Sequence, residues 1–333
     1  MTLGSGDTID TDAGTVTDAS GNVIAVPSTL IPQTNAAPIR AFIAHSFTIG
    51  SVTVTGSNAL ALVSDGPIAI EGLMNVVASV SASGQSQGVG AQPMSAPCTG
   101  ESTFDQGCVT GTTDDECGYA GGGGGNDMPG AAAGGIMIPE NNGGVAVTGF
   151  SLLVGGCAGG SPGTRDNPPG LAGAGGGAVQ IVSATSVTLD GVINVGGGGG
   201  TFSSGGGSGG MVVIEAPIVI VHDGGGIAAN GGGGGGCDTA GATATPDTTP
   251  AGVGSCKAMT TGYGTGGTGG TLLTAPGVGV IQTDGIITGS TPNAGGGGGS
   301  VGRARIATLD GTVSLTSGAI MSAAVTNDML DVQ

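Results

Sequence analysis

Tryptophan is absent from this 333-residue chain, aromatic residues supply 2% of it, and charged residues supply 8%. Positive charge is scarcest, with five Lys and Arg against 23 Asp and Glu, a formal net charge of −18. Five dispersed cations cannot neutralise a phosphate track, which excludes nucleic acid as a partner. No apolar run of about 18 residues survives the glycine, proline and acidic interruptions, so no helical transmembrane span is expected. The opening Met1-Thr2-Leu3-Gly4-Ser5 has neither a basic start nor an apolar core, and no signal peptide is visible. Histidine is nearly missing, since His45 and His222 are the only two. The six cysteines form no CxxC pair, so the close ligand pairs of a zinc site are lacking.

What the chain has in excess is glycine, 77 residues of it. Each interior glycine costs a helix roughly 1 kcal/mol relative to alanine, which excludes an ordinary helical domain. A mean hydropathy of +0.31 with 38% apolar residues is too hydrophobic for a disordered chain. Collagen would need glycine at every third position, whereas here it comes in blocks.

Four segments, 59–72, 178–191, 211–224 and 271–285, align with one another and end in Glu71-Gly72, Asp190-Gly191, Asp223-Gly224 and Asp284-Gly285. A weaker copy spans 303–318, and residues 41–56 look like another. Ala178 to Met211 is 33 residues and Thr271 to Arg303 is 32. Met211 to Thr271 is 60, which falls to 32 once the 28 residues from Cys237 to Gly264 are set aside as an inserted loop. Periods of this size indicate stacked supersecondary units. Within a unit Val179, Ile181, Val187 and Leu189 alternate with Gln180 and Thr188, the period-2 pattern of strands with one buried face. Two strands, a corner, a turn and a third strand such as Ile193-Asn194-Val195 are followed by a glycine tract at 196–200, 231–236 or 295–299, with an earlier one at 121–125.

That order predicts an all-β fold, a right-handed parallel β-helix (β-solenoid) with glycine-rich return segments and disulfide-stapled loop insertions. A narrow interior filled by Val, Ile, Leu and Ala explains the missing aromatics, because rings would overpack it. The tracts have two readings: flexible linkers, or extended polyproline-II-like strands bonded to their neighbours. Recurrence once per repeat favours the second. The expected organisation is an N-terminal cap or extended arm over 1–40, the solenoid over 41–318 with loop insertions at about 84–174 and 237–264, and a C-terminal cap or tail over 319–333.

The segment 178–200, the run 207–217, the stretch 227–236 and the segment 295–305 resemble glycine-rich β-helical surface proteins of myxobacteria and related bacteria. The resemblance implies an exported β-helical protein and brings no catalytic residues with it.

Six cysteines in loop-like sequence point to disulfides and an oxidising compartment, hence an extracellular or cell-surface location. Cys237 and Cys256 bracket one inserted loop and are expected to pair. Cys98, Cys108, Cys117 and Cys157 would make two further bonds in a pairing the sequence leaves open. The acidic column Glu71, Asp190, Asp223 and Asp284 also has two readings. One is Ca²⁺ held between stacked units, and the other, favoured, is an Asp-Gly turn with glycine at positive φ. Asp114, Asp115 and Glu116 are a second candidate Ca²⁺ group, read more simply as a solvated run. No other cofactor is expected. His222 aligns with Leu189 and Ile70, so it either points inward or marks a register shift of one. Arg303 and Arg305 share a strand face, with no carboxylate partner identifiable.

No catalytic constellation emerges. The expected function is a non-enzymatic extracellular structural protein, at the cell surface or self-assembled into fibres through homotypic contacts. The alternative is an adhesin that binds surface glycans, or ice, through its loops or a flat face; Phe104, Tyr119 and Tyr263 are the candidate glycan contacts. A polysaccharide-active enzyme comes third, since it would need clustered carboxylates.

Overall fold

The computed structural model describes residues 1–77, 79–81, 84–93, 95–102, 120–134, 142–162, 170–236, 239–255, 264–280 and 294–330. Among them all regular structure is β. Sheet A contains β1 (Thr2–Leu3), β7 (Phe47–Ile49), β10 (Ile68–Ile70), β15 (Ser186–Leu189), β18 (Ile218–Val221) and β21 (Ser314–Leu315), neighbours in that order. Sheet B runs from β22 (Ile320–Met321) through β19 (Gly226–Ala228), β16 (Val192–Asn194), β11 (Met74–Asn75) and β8 (Val52–Thr55) to β2 (Asp7–Asp10). It ends in β3 (Thr15–Thr17) and β4 (Val23–Ile24). Sheet C runs from β23 (Ala324–Met329) through β20 (Arg303–Thr308), β17 (Met211–Glu215), β14 (Ala178–Ser183) and β9 (Ala59–Ser64) to β6 (Ile39–Ala44) and β5 (Ser28–Ile31). A separate hairpin pairs β12 (Ser79–Ser81) with β13 (Gly84–Ser86).

Every pairing in the three large sheets is parallel except those of β3 with β2, β4 with β3, and β5 with β6. From β6 onward the chain visits sheets C, A and B in that order and then returns to C, a pass called a round below. Like residues stack from round to round. Leu62, Ile181, Ile214 and Ile306 are in register on sheet C. Ile49, Ile70, Leu189 and Val221 do the same on sheet A, as do Val52, Met74, Ile193 and Ile227 on sheet B. All twelve are buried and belong to one core cluster between the sheets. β-branched and aliphatic side chains fill this space without rings, apart from Phe42 and Phe47 in an early round.

Segments starting at Ala59, Ala178, Met211 and Arg303 stack in the expected register. The described part of the segment starting at Thr271 does not: β17 pairs directly with β20, and Thr271 forms an isolated bridge to Thr274. Leu273 is 91% exposed there, and Pro276, which lacks an N–H, follows two residues after Thr274. Among the described residues no named strand lies between β19 and β20, so the detour there is longer than the one inserted loop expected.

The glycine tracts bond to one another, and the bonds recur every third residue. Gly197 and Gly200 donate to the carbonyls of Asn230 and Gly233, three residues apart on one neighbour (2.9 Å each). Gly198 and Thr201 donate to Ala174 and Leu171 on a second neighbour running the other way. Gly206 and Gly209 donate to Gly297 and Ser300, while Gly232 and Gly235 donate to Gly207 and Ser204. A threefold extended backbone presents successive N–H groups in three directions, as in polyproline II, so each tract reaches several neighbours. None of these tract glycines has a positive φ. Glycine is required by close approach instead: a Cβ on Gly207 would collide with the Ala174 carbonyl, and one on Gly232 with that of Gly198.

A few side chains tie this glycine lattice together. Cys98 and Cys157, both buried, form a disulfide with Cα atoms 5.7 Å apart, one of the pairings the sequence left open. Asn126 donates its amide to the Gly209 carbonyl (2.6 Å), and Asn230 donates to the Asp247 carbonyl (2.7 Å). The Ser208 hydroxyl accepts the Cys157 N–H (2.8 Å).

Candidate functional site

The acidic-Gly corners lie where the chain leaves sheet A. Ile70, Leu189 and Val221 are in register, so Glu71, Asp190 and His222 occupy equivalent corner positions. Asp223 falls one residue later, which resolves the His222 question as a shift of one. His222 Nδ1 lies 2.6 Å from Asp190 Oδ1, so the column places an imidazole where a third carboxylate was expected. Among the described residues, no group of three His, Cys, Asp or Glu side chains comes together. Asp284, Asp114, Asp115 and Glu116 lie outside the described residues, as do Cys108, Cys117, Cys237, Cys256, Phe104, Tyr119 and Tyr263.

Among the described corner glycines, positive φ explains only Gly224, at 77°. Gly72 and Gly191 are needed for a different reason. A Cβ on Gly72 would sit 2.7 Å from the backbone of Gly50 and Ser51, and one on Gly191 would meet the backbone of Gly72. Stacked corners approach too closely for a side chain, a constraint the Asp-Gly turn pattern does not reveal.

His45 closes the corner after β6 and lies 2.7 Å from Asp65, which closes the corner after β9. Each histidine is thus bound to an aspartate of a neighbouring round. Arg305 has the carboxylate partners that its sequence did not identify: Glu215 at 3.3 Å and Asp328 at 3.2 Å. Gln180 extends the chain by donating to Glu215 (2.9 Å). Arg303, 3% exposed, donates to the Val147 carbonyl (2.6 Å) and lies 5.5 Å from the Phe150 ring centre. Burial lowers its pKa, and the nearby Asp127 works against that shift; burial in turn raises Asp127. Together these contacts clamp the segment carrying Phe150 and Leu153 onto the outer face of sheet C, against Ala178, Met211 and Val213.

A half-open groove of about 910 Å³ lies on the outer side of sheet B. Thr53 and Thr55 of β8 and Asn75 of β11 line it, together with Asp12, Asn35 and Gln87. Apolar surface comes from Pro38, Val77 and Pro93. The groove forms where residues 87–93 leave the sheets for the glycine lattice: Gly88 donates to Gly175 and Gln92 to Gly156. Its single charged group among the described residues is Asp12. Burial pushes that carboxyl up, but hydrogen bonds from Ser57 and Asn58 and the charge of Arg40 outweigh it, holding the carboxyl below its ordinary range. No residue of the groove stood out in the sequence, because its parts come from stretches far apart in the chain.

No helix among the described residues is long and apolar enough to cross a membrane. Comparison with known protein families, with curated proteins and with solved structures returned no match.

Proposed function

We propose that the chain is a right-handed parallel β-helix flanked by its glycine lattice, and that it serves as a non-enzymatic extracellular structural protein assembling end to end. The observation that carries this reading is the unlike character of the two ends of the sheets. At one end the antiparallel strands β3, β4 and β5 lie beyond the outermost parallel strands of sheets B and C. At the other, among the described residues, the outermost strands β21, β22 and β23 are all parallel. β23 leaves a six-residue edge on which Thr326, Asn327, Asp328 and Met329 are exposed. An unpaired edge is a template for another strand. Unlike ends that join without closing a ring generate a filament.

Other features support a mechanical role. The lattice bonds each tract to several others, the Cys98–Cys157 disulfide suits an oxidising environment, and both histidines are spent on inter-round pairs. Negative-stain microscopy over a rising series of protein concentrations tests the proposal. Filaments or end-joined rods that lengthen with concentration are expected; single particles at every concentration overturn the assembly reading.

A further inference from the structure

The groove on sheet B has the properties of a prepared ligand site. Its volume, about 910 Å³, is that of a small-ligand cleft. Three of its polar side chains are anchored to the frame by one atom. Asn75 accepts the Asn194 amide through Oδ1 (3.2 Å), which leaves its Nδ2 to donate outward. Gln87 accepts the Gly175 N–H through Oε1 (3.0 Å), which leaves its Nε2. Asp12 gathers the Ser57 N–H (2.9 Å), the Ser57 hydroxyl (2.8 Å) and the Asn58 amide (2.9 Å) on Oδ1, leaving Oδ2 to accept. Side chains held this way lose little freedom when a ligand binds.

Three considerations choose the occupant. The lining holds amides and hydroxyls that both donate and accept, and these match a polyhydroxylated molecule. Among the described residues Asp12 is the one charged group that lines the groove, and the whole chain carries −18, so an anionic ligand is disfavoured even with Arg40 beside Asp12. The strand beneath, β8, is already paired on both sides, with β2 and β11, so an extended peptide finds no backbone edge to join.

We propose that this groove binds a neutral oligosaccharide, with Asn75 and Gln87 donating to its hydroxyls and Asp12 accepting from them. Pro38, Val77 and Pro93 would cover the apolar faces of the sugar rings. The site is independent of end-to-end assembly, so either proposal can fail alone.

The test is an array of neutral hexose and N-acetylhexosamine oligosaccharides probed with the full chain. Uronate-bearing and sialylated glycans and short peptides serve as comparators, and a retained neutral sugar is then titrated calorimetrically. Retention of neutral sugars is expected, with Asn75→Ala and Gln87→Ala each weakening affinity about tenfold, the value of one good hydrogen bond. Ala36→Trp, on the connector at the rim and outside the sheets, should abolish binding at an unchanged melting temperature. Three results overturn the proposal: no neutral sugar retained, a preference for acidic glycans or peptides, or full affinity in the Ala36→Trp variant.

Discussion

In the sheets each inner strand has two hydrogen-bonded neighbours, and its inward side chains fill the space between them; in the glycine lattice a tract has up to six neighbours, as residues 203–210 do, and almost no side chains. Both regions satisfy backbone N–H and carbonyl groups away from water, as any buried chain must. They differ in what holds them together. The sheets enclose columns such as Leu62, Ile181, Ile214 and Ile306, so apolar burial stabilises them. The lattice buries mostly peptide groups, and it tolerates burial because the backbone hydrogen bonds of the tracts are made at 2.7–3.1 Å. Methyl groups therefore act in opposite senses: the sheets are hurt by losing one, the lattice by gaining one.

That contrast can be broken or sharpened by three substitutions. The largest effect should come from Ile181→Ala, which empties a fully buried position in the middle of the sheet C column. A loss of about 2 to 5 kcal/mol is expected from denaturant midpoints, with strand signal falling in circular dichroism. Next is removal of the disulfide by the paired change Cys98→Ser and Cys157→Ser, which frees a loop closed across 59 residues. A cost of about 2 to 4 kcal/mol is expected. Hydrogen exchange should rise at Gly125 and Ser208, which donate to the carbonyls of these two residues, before it rises in β14. Exchange that rises first in β14 would mean that the lattice stabilises the sheets rather than the reverse.

The smallest of the three effects should be that of Gly207→Ala, about 1 to 3 kcal/mol from forced backbone displacement. The added methyl would meet the Ala174 carbonyl, and no rotamer relieves a clash with backbone. Its signature is a melting temperature lowered by an addition rather than a deletion of atoms. A neutral or stabilising result would show that the tracts have room to move apart, and the contrast between the regions would fail.

The sheets were largely legible in the sequence, and so was the extended, mutually bonded character of the glycine tracts; which tract bonds to which was not, for a physical reason. Period-2 alternation around Val179, Ile181, Val187 and Leu189 reports a buried face, and the shared starts at Ala59, Ala178, Met211 and Arg303 report register. Thr271-Leu-Leu-Thr has similar residues, yet Pro276 and Gly277 carry the chain into the lattice, where Gly277 donates to Thr268. Pattern alone does not distinguish those outcomes. Glycine carries no side chain to name a neighbour, so nothing in the sequence says that Gly121 bonds to Ser203 or Gly297 to Gly121. The groove was invisible for a related reason: Asp12, Asn35, Thr53, Asn75 and Gln87 meet only after the rounds have stacked. His222 and Asp190 came closer to being read, because the three glycines after Asp223 signalled the shift that pairs them.

The three-residue recurrence of the lattice bonds has a consequence for how its pieces find their places. Sliding a run of identical glycines along a partner by three residues restores the same contacts, so the backbone cannot tell the correct alignment from its translates. The decision falls to the rare residues that are not glycine. Asn126 reaching Gly209, Asn230 reaching Asp247 and Ser208 meeting Cys157 act as indexing pins, each fitting at a single offset.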